Sequence, residues 1–164
     1  MRIENIILSN YRLYKGKNKI EFASDDSGKN IYLVSGQNGF GKTTFLQSLL
    51  WCLYGKLIAD IDETLKKEIA NSGGYNAFLI KNLNITARQQ VEEIKKEDVQ
   101  RIKRNGYAPS DKKLKENAIY SVSIHFGDVA IPSIPCKTFT VIRSYDFIKA
   151  ELLLMKQHNI NTVR

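Results

Sequence analysis

The stretch that decides the fold reads Gly36-Gln37-Asn38-Gly39-Phe40-Gly41-Lys42-Thr43, followed by Thr44. It matches the pattern G-x-x-x-x-G-K-[ST], a glycine-rich turn between a strand and a helix whose backbone N–H groups surround phosphate oxygens. Glycines allow the positive φ angles that turn successive N–H groups toward the same side. We therefore predict that residues 36–44, called the phosphate loop below, bind the phosphates of ATP.

Two side chains of the phosphate loop have chemical tasks of their own. Lys42 is expected to place its ammonium group against the β- and γ-phosphates, and it is the candidate catalytic residue. The hydroxyl of Thr43 is a hard oxygen ligand, which makes Thr43 the candidate ligand of Mg²⁺. The helix that begins near Lys42 adds its positive dipole end beneath the phosphates. ATP and Mg²⁺ are thus the predicted cofactors.

The sequence on both sides of the loop fits a strand, a turn and a helix. Residues 30–35 contain the apolar run Ile31-Tyr32-Leu33-Val34 and predict a short strand that leads into the loop. From Lys42 onward, apolar residues recur at spacings of three and four, which predicts an amphipathic helix ending at Gly55. The residues predicted to form its apolar face are Phe45, Leu46, Leu49, Leu50 and Leu53.

The rest of the chain alternates between strand patterns and polar helices. Residues 2–9 and 18–22 predict two pairing strands, and turn chemistry follows at residues 25–28. Asp62 predicts the N-cap of a short helix through Ile69. We divide the single lobe into strands, loop and helix (1–58), a helical and basic insertion (59–118) with a polar helix over 84–104, a β hairpin (119–147) whose loop contains Pro132 and Pro135, and a C-terminal segment (148–164).

Composition and charge bound the possible functions. The chain of 164 residues is 43% hydrophobic and 26% charged, which is typical of one globular domain and excludes a disordered or collagen-like chain. The formal net charge of +8 attracts phosphate-rich partners such as nucleic acid. The stretch from Arg88 to Lys115 is basic, and it is either a solvated surface insertion or a patch that faces nucleic acid. Without a long apolar run or a signal segment, we expect a cytoplasmic protein with no membrane partner.

Several segments around the phosphate loop resemble the start of SMC-like ATPase heads. They are Asn10-Tyr11-Arg12, Lys19-Ile20-Glu21-Phe22, residues 35–44 and Leu53-Tyr54-Gly55. That group includes SbcC-type repair ATPases, RecF, RecN and the DndD ATPase of DNA phosphorothioation systems. The Leu-Tyr-Gly ending and the later strand pair with Arg143 look most like the DndD and SbcC branches. The resemblance covers residues 1–55 and, more loosely, residues 119–145.

The resemblance implies an α/β P-loop NTPase fold: an ABC/SMC-type N-terminal lobe with a mixed sheet, an antiparallel β portion and a helical insertion. It also implies that Arg12 reaches the nucleotide and that residues of the loop form the phosphate cradle, with Thr43 on magnesium. The predicted cofactor-binding residues are therefore Arg12, Gly36, Asn38, Gly39, Phe40, Gly41, Lys42, Thr43 and Thr44.

The departures from such heads are as informative as the matches. A C-terminal lobe of these heads carries the signature motif and the Walker B acidic pair, and neither is found in this sequence. Residues 71–74 imitate a signature only superficially, and Gln157 is the one late candidate for a glutamine loop. The chain is therefore expected to be an ATPase that is incomplete by itself. The implied partners are a C-terminal ATPase lobe of the same or another chain, a second head that dimerises on ATP, DNA, and nuclease or modification-system subunits.

These observations predict the ATP·Mg²⁺-binding half of an SMC-like ATPase head. It would act in DNA repair, DNA phosphorothioate modification or restriction defence, and it would hydrolyse ATP only together with the C-terminal lobe. Two alternatives stay open. One is a non-hydrolysing, nucleotide-dependent regulatory module for a nuclease. The other is a small-molecule P-loop kinase, which would need an acidic residue and a basic lid in the second half of the chain.

Overall fold

The computed structural model describes residues 1–22, 31–105, 111–128 and 137–150. The predicted turn at 25–28, the two prolines of the hairpin loop, and Gln157 lie outside these described residues. A short 3-10 turn, Gly55–Leu57, follows the first helix. The elements in chain order are β1 (Arg2–Tyr11), β2 (Tyr14–Glu21), α1 (Lys42–Tyr54), α2 (Ile58–Ile61), α3 (Glu63–Asn71), α4 (Tyr75–Lys81), α5 (Ile85–Asn105), α6 (Asp111–Ala118), β3 (Ile119–Gly127) and β4 (Phe139–Asp146).

The four strands form one sheet in the order β2-β1-β3-β4. β1 pairs antiparallel with β2, and β3 pairs antiparallel with β4, so both predicted strand pairs are confirmed. Side chains alternate between the two faces of each strand. The buried face includes Ile6, Leu8, Val122 and Ile124, each at most 1% exposed.

The described sheet is antiparallel throughout, so the expected mixed sheet is wrong for this part of the chain. The reason lies in the segment before the phosphate loop, where a strand was predicted. Residues 31–37 have no strand assignment, and Ile31 and Leu33 are 92% and 91% exposed. Strand geometry needs a neighbour that pairs the backbone N–H and C=O groups, and none of the four described strands pairs with this segment.

α1 packs on β3 and β4, and it begins and ends where the sequence predicts. Its buried side differs from the predicted apolar face, because Leu46 and Leu53 are 55% and 43% exposed. The helix carries apolar residues on both sides, so spacing alone does not determine which side the sheet covers. The residues that it buries are Phe45, Gln47, Ser48, Trp51 and Cys52.

The described residues between α1 and β3 are mostly helical, and the predicted helices over 62–69 and 84–104 are confirmed as α3 and α5. The carboxylate of Asp62 accepts a hydrogen bond from the N–H of Leu65 at 2.9 Å, which is the predicted N-cap of α3. In the described ranges, none of the helices is both long and apolar enough to cross a membrane.

An aromatic cluster joins the sheet to the helices. The ring centroids of Tyr11, Trp51 and Tyr120 lie 5.3–5.7 Å apart, from β1, α1 and β3. The indole N–H of Trp51 donates to the hydroxyl of Tyr75 at 3.1 Å, and the hydroxyl of Tyr120 donates to the carbonyl of Leu79 at 2.8 Å. These contacts hold α1, and with it the phosphate loop, in a defined position on the sheet.

Candidate nucleotide-binding site

The backbone of the phosphate loop has the geometry that its glycines predict. Gly39 and Gly41 have φ angles of 86° and 92°, in the left-handed region that favours glycine. Gly41 is the N-cap of α1, the first turn of the helix contains no acidic residue, and no described side chain caps it. The first N–H groups of a helix have no intrahelical partners, so the start of α1 presents free donors and a positive dipole end to an anion.

Lys42 lies across the opening of the loop. Its ammonium group donates to the carbonyl of Gly36 at 2.5 Å and to the carbonyl of Gln37 at 2.9 Å. A phosphate group is negatively charged, so its oxygens make stronger hydrogen bonds with an ammonium than a neutral carbonyl does. Lys42 can therefore exchange these two carbonyls for phosphate oxygens within the same loop.

An open cleft of about 270 Å³ lies along the loop and the first turn of α1. Leu13, from the turn between β1 and β2, lines it as well. Of the other predicted residues, Gly36 contributes the carbonyl that Lys42 contacts, and Phe40 is 74% exposed beside the cleft. The predicted residues that line the cleft are Asn38, Gly39, Gly41, Lys42, Thr43 and Thr44.

Arg12 is engaged elsewhere in the structure. Its Nε, Nη1 and Nη2 nitrogens each donate one hydrogen bond. The acceptors are the side-chain oxygens of Asn82 and Gln47, both at 2.7 Å, and of Glu68 at 2.5 Å. Its side chain is 18% exposed, and its guanidinium carbon lies 5.3 Å from the ring centroid of Phe78. Arg12 is not among the residues that line the cleft, and its contact with a nucleotide stays a prediction.

Leu13 and Tyr14 were not predicted as part of the site. The hydroxyl of Tyr14 donates to the carbonyl of Gly41 at 3.2 Å, and Leu13 lines the cleft. The position of Leu13 and Tyr14 directly after the Asn-Tyr-Arg motif was the available signal. Their contact with the loop depends on tertiary structure, since Tyr14 and Gly41 are 27 positions apart.

The residues present fit Mg²⁺ and a nucleotide phosphate. Mg²⁺ usually keeps several water ligands and takes others from substrate phosphates, so one protein hydroxyl, that of Thr43, is a suitable contribution. Among the described residues, no group of three or more His, Cys, Asp or Glu side chains could hold a metal ion elsewhere. When bound, the metal would neutralise charge on the phosphates. Lys42 and the N–H groups of α1 would orient them.

The described residues thus form an α/β domain with a four-stranded antiparallel sheet and a glycine-rich loop at the start of a helix, an arrangement consistent with a phosphate-binding loop. The family model described as "AAA domain" matches residues 5–161, nearly the whole chain. The chain therefore belongs to this family of SMC- and SbcC-like AAA ATPases, whose members generally use ATP and Mg²⁺. No curated protein and no solved structure matches the chain. The resemblance to SMC-like heads is confirmed at the level of the family, and the DndD-like branch stays a prediction.

Proposed function

We propose that this chain is the nucleotide-binding N-terminal lobe of an SMC-like ATPase head that acts in DNA metabolism. It binds ATP·Mg²⁺ through the phosphate loop and hydrolyses ATP after a C-terminal lobe completes the site and two heads dimerise. Nucleotide binding then controls how the heads engage DNA. The DndD-like branch, with a role in DNA phosphorothioation or restriction defence, is the preferred assignment within the family.

The observation that carries the proposal is the geometry at the start of α1. Two left-handed glycines, an uncapped helix N-terminus, the Lys42 ammonium and the Thr43 hydroxyl converge on one open cleft. Each of these groups favours a negatively charged ligand or its metal ion. The net charge of +8 supports a nucleic-acid partner but identifies no DNA-binding residues.

Exposed apolar side chains support a completing lobe. Ile31 and Leu33 before the phosphate loop are 92% and 91% exposed. Leu53 in α1, Leu57 in the 3-10 turn and Ile61 in α2 are 43%, 62% and 49% exposed. Exposed apolar residues that cluster on a domain surface commonly mark protein contacts. The partner that we assign to them is the C-terminal lobe of the head.

The first test compares ATP·Mg²⁺ binding by the wild-type chain, Lys42→Ala and the control Lys56→Ala, measured by isothermal titration calorimetry. Lys56 is an exposed lysine in the 3-10 turn after α1. We expect Lys42→Ala to weaken binding by about 10- to 100-fold, because charge-assisted hydrogen bonds contribute about 1.5–3 kcal/mol. Lys56→Ala should bind as the wild type does.

Phosphate release should then be followed with and without the C-terminal region of the head. Turnover that appears only after this region is added supports the composite head. Tight binding without turnover under both conditions would favour the non-hydrolysing regulatory module. If the wild-type chain does not bind ATP·Mg²⁺ at all, the proposed function is wrong.

A further inference from the structure

The turn between β1 and β2, together with Tyr14 at the start of β2, packs against the point where the phosphate loop becomes α1. The hydroxyl of Tyr14 donates to the carbonyl of Gly41 at 3.2 Å. The same carbonyl accepts the N–H of Phe45 at 2.8 Å, the first hydrogen bond of the helix. One backbone group therefore belongs both to the helix and to the contact with the turn.

Steric contact reinforces this hydrogen bond. A β-carbon at Gly41 would lie 3.3 Å from the hydroxyl oxygen of Tyr14 and 3.6 Å from a methyl group of Leu13. The turn thus lies in direct contact with the last glycine of the loop. Burial raises the pKa of Tyr14, which keeps its hydroxyl protonated and able to donate over a wide pH range.

The turn itself is held firmly by the junction between α4 and α5. The backbone N–H of Arg12 donates to the carbonyl of Asn82 at 2.7 Å, and the N–H of Asn84 donates to the carbonyl of Asn10 at 2.8 Å. The side-chain amide of Asn84 donates to the carbonyl of Arg12 at 2.5 Å. Asn10 and Arg12 have φ angles of 50° and 47°, and these bonds fix that uncommon backbone.

We propose that Tyr14 is a positioning residue for the phosphate loop, holding Gly41 so that the loop and the start of α1 are arranged for phosphate before the nucleotide binds. This inference rests on the proposed function. Tyr14 acts through Gly41 and touches no reacting atom. A loop that is already ordered loses less conformational entropy when it binds, which raises its affinity.

The test uses Tyr14→Phe, which removes only the hydroxyl, and Tyr54→Phe as the matched control. Tyr54 is 45% exposed at the end of α1. Dissociation constants for ATP·Mg²⁺ and ADP·Mg²⁺ should rise about two- to twelvefold in Tyr14→Phe, the effect of one hydrogen bond of about 0.5–1.5 kcal/mol. Tyr54→Phe should match the wild type for both nucleotides.

A second readout separates positioning from general stability. In the nucleotide-free protein, amide hydrogen exchange at residues 41–44 should become several-fold faster in Tyr14→Phe, while exchange in the last turn of α1 stays unchanged. Unchanged nucleotide affinity would overturn the proposal, and so would unchanged exchange at residues 41–44. So would a uniform increase in exchange along α1, because it would show a structural role only.

The two proposals fail in different ways. If the wild-type chain binds no nucleotide, the proposed function fails, and exchange at residues 41–44 still tests whether Tyr14 orders the loop. If the wild type binds and Tyr14→Phe binds equally well, only the positioning role is wrong.

Discussion

At the scale of single residues, Arg12 shows how one side chain connects several elements. It lies in the turn between β1 and β2, and its N–H donors reach Gln47 on α1, Glu68 on α3 and Asn82 at the end of α4. A guanidinium presents its donors in a rigid planar fork, which a lysine cannot reproduce. The arrangement gives Arg12 a structural role that requires no nucleotide.

We expect Arg12→Lys to lower the free energy of unfolding by about 1–3 kcal/mol, because at least one buried acceptor would lose its donor. Arg101→Lys is the control, since Arg101 makes an exposed ion pair with Glu97 on α5. That change should cost less than about 0.5 kcal/mol. Urea unfolding monitored by circular dichroism would measure both. Equal effects of the two substitutions would contradict the assigned network.

At the scale of elements, α1 is fixed at both ends by side chains that come from strands. Tyr14 contacts its N-terminal end, and Arg143 of β4 donates from Nε to the carbonyl of Cys52 at 3.0 Å near its C-terminal end. A positive charge is favourable beside the last turn of a helix. Gly55, just after α1, has a φ angle of 58°, and a β-carbon there would lie 2.7 Å from the guanidinium of Arg143.

Gly55→Ala should therefore destabilise the protein more than Gly73→Ala does. Both glycines have positive φ angles, but a β-carbon at Gly73 would meet no atom within 4 Å. We expect Gly73→Ala to lower the free energy of unfolding by about 1–2 kcal/mol because of backbone strain. Gly55→Ala should lower it by a further 0.5–1.5 kcal/mol, roughly one hydrogen bond, because Arg143 is displaced from Cys52.

A double-mutant cycle with Arg143→Ala identifies the cause of that difference. If the guanidinium is responsible, the additional loss in Gly55→Ala disappears once Arg143 has been truncated. Thermal and urea unfolding give the required free energies. Strictly additive effects of the two substitutions would contradict the steric explanation.

At the scale of the whole molecule, the buried tyrosines join the sheet to the helices and make stability sensitive to alkaline pH. Burial raises the pKa of Tyr11 to about 12 and also raises the pKa of Tyr120. The hydroxyl of Tyr11 is buried, and within the described ranges it has no hydrogen-bond partner. Burial without a hydrogen-bond partner disfavours the charged tyrosinate, so Tyr11 stays protonated in the folded protein.

We expect the free energy of unfolding to fall between about pH 10 and pH 12. In the unfolded chain Tyr11 loses its proton near pH 10, whereas in the folded protein it keeps the proton until about pH 12. The unfolded state therefore binds fewer protons in this range, so stability is complete below pH 10 and is lost as the pH rises. The contribution of Tyr11 is on the order of 2–3 kcal/mol.

Tyr11→Phe should reduce this pH dependence, while Tyr120 maintains part of it. Near neutral pH it should change stability by less than about 1 kcal/mol, because the lost hydroxyl had no partner. Tyr54→Phe controls for the removal of a tyrosine hydroxyl from an exposed position. Urea titrations at several pH values from neutral to about 12 provide the measurement. An unchanged alkaline slope in Tyr11→Phe would show that other groups cause the loss.

Local patterns predicted much of the fold and most of the candidate site. The limits of α1, the Asp62 cap, α5 and both strand pairs follow from spacing, turn residues and capping chemistry, all of which act over a few neighbouring positions. Six predicted residues of the phosphate loop line one cleft for the same reason, because they are consecutive or nearly so. The prediction of a strand before the loop was wrong, because a strand depends on a pairing partner that a local pattern does not reveal.

The sequence by itself determined that a glycine-rich loop at residues 36–41 leads into a helix that begins at Lys42, because turn and helix geometry depend on adjacent residues. Only the tertiary structure decided that Arg12 contacts Asn82, 70 positions away, and that Tyr14 contacts Gly41. It also decided which side of α1 faces the sheet. The physical reason is that these contacts arise when the sheet and the helices pack together, and local chemistry does not specify which distant groups will meet.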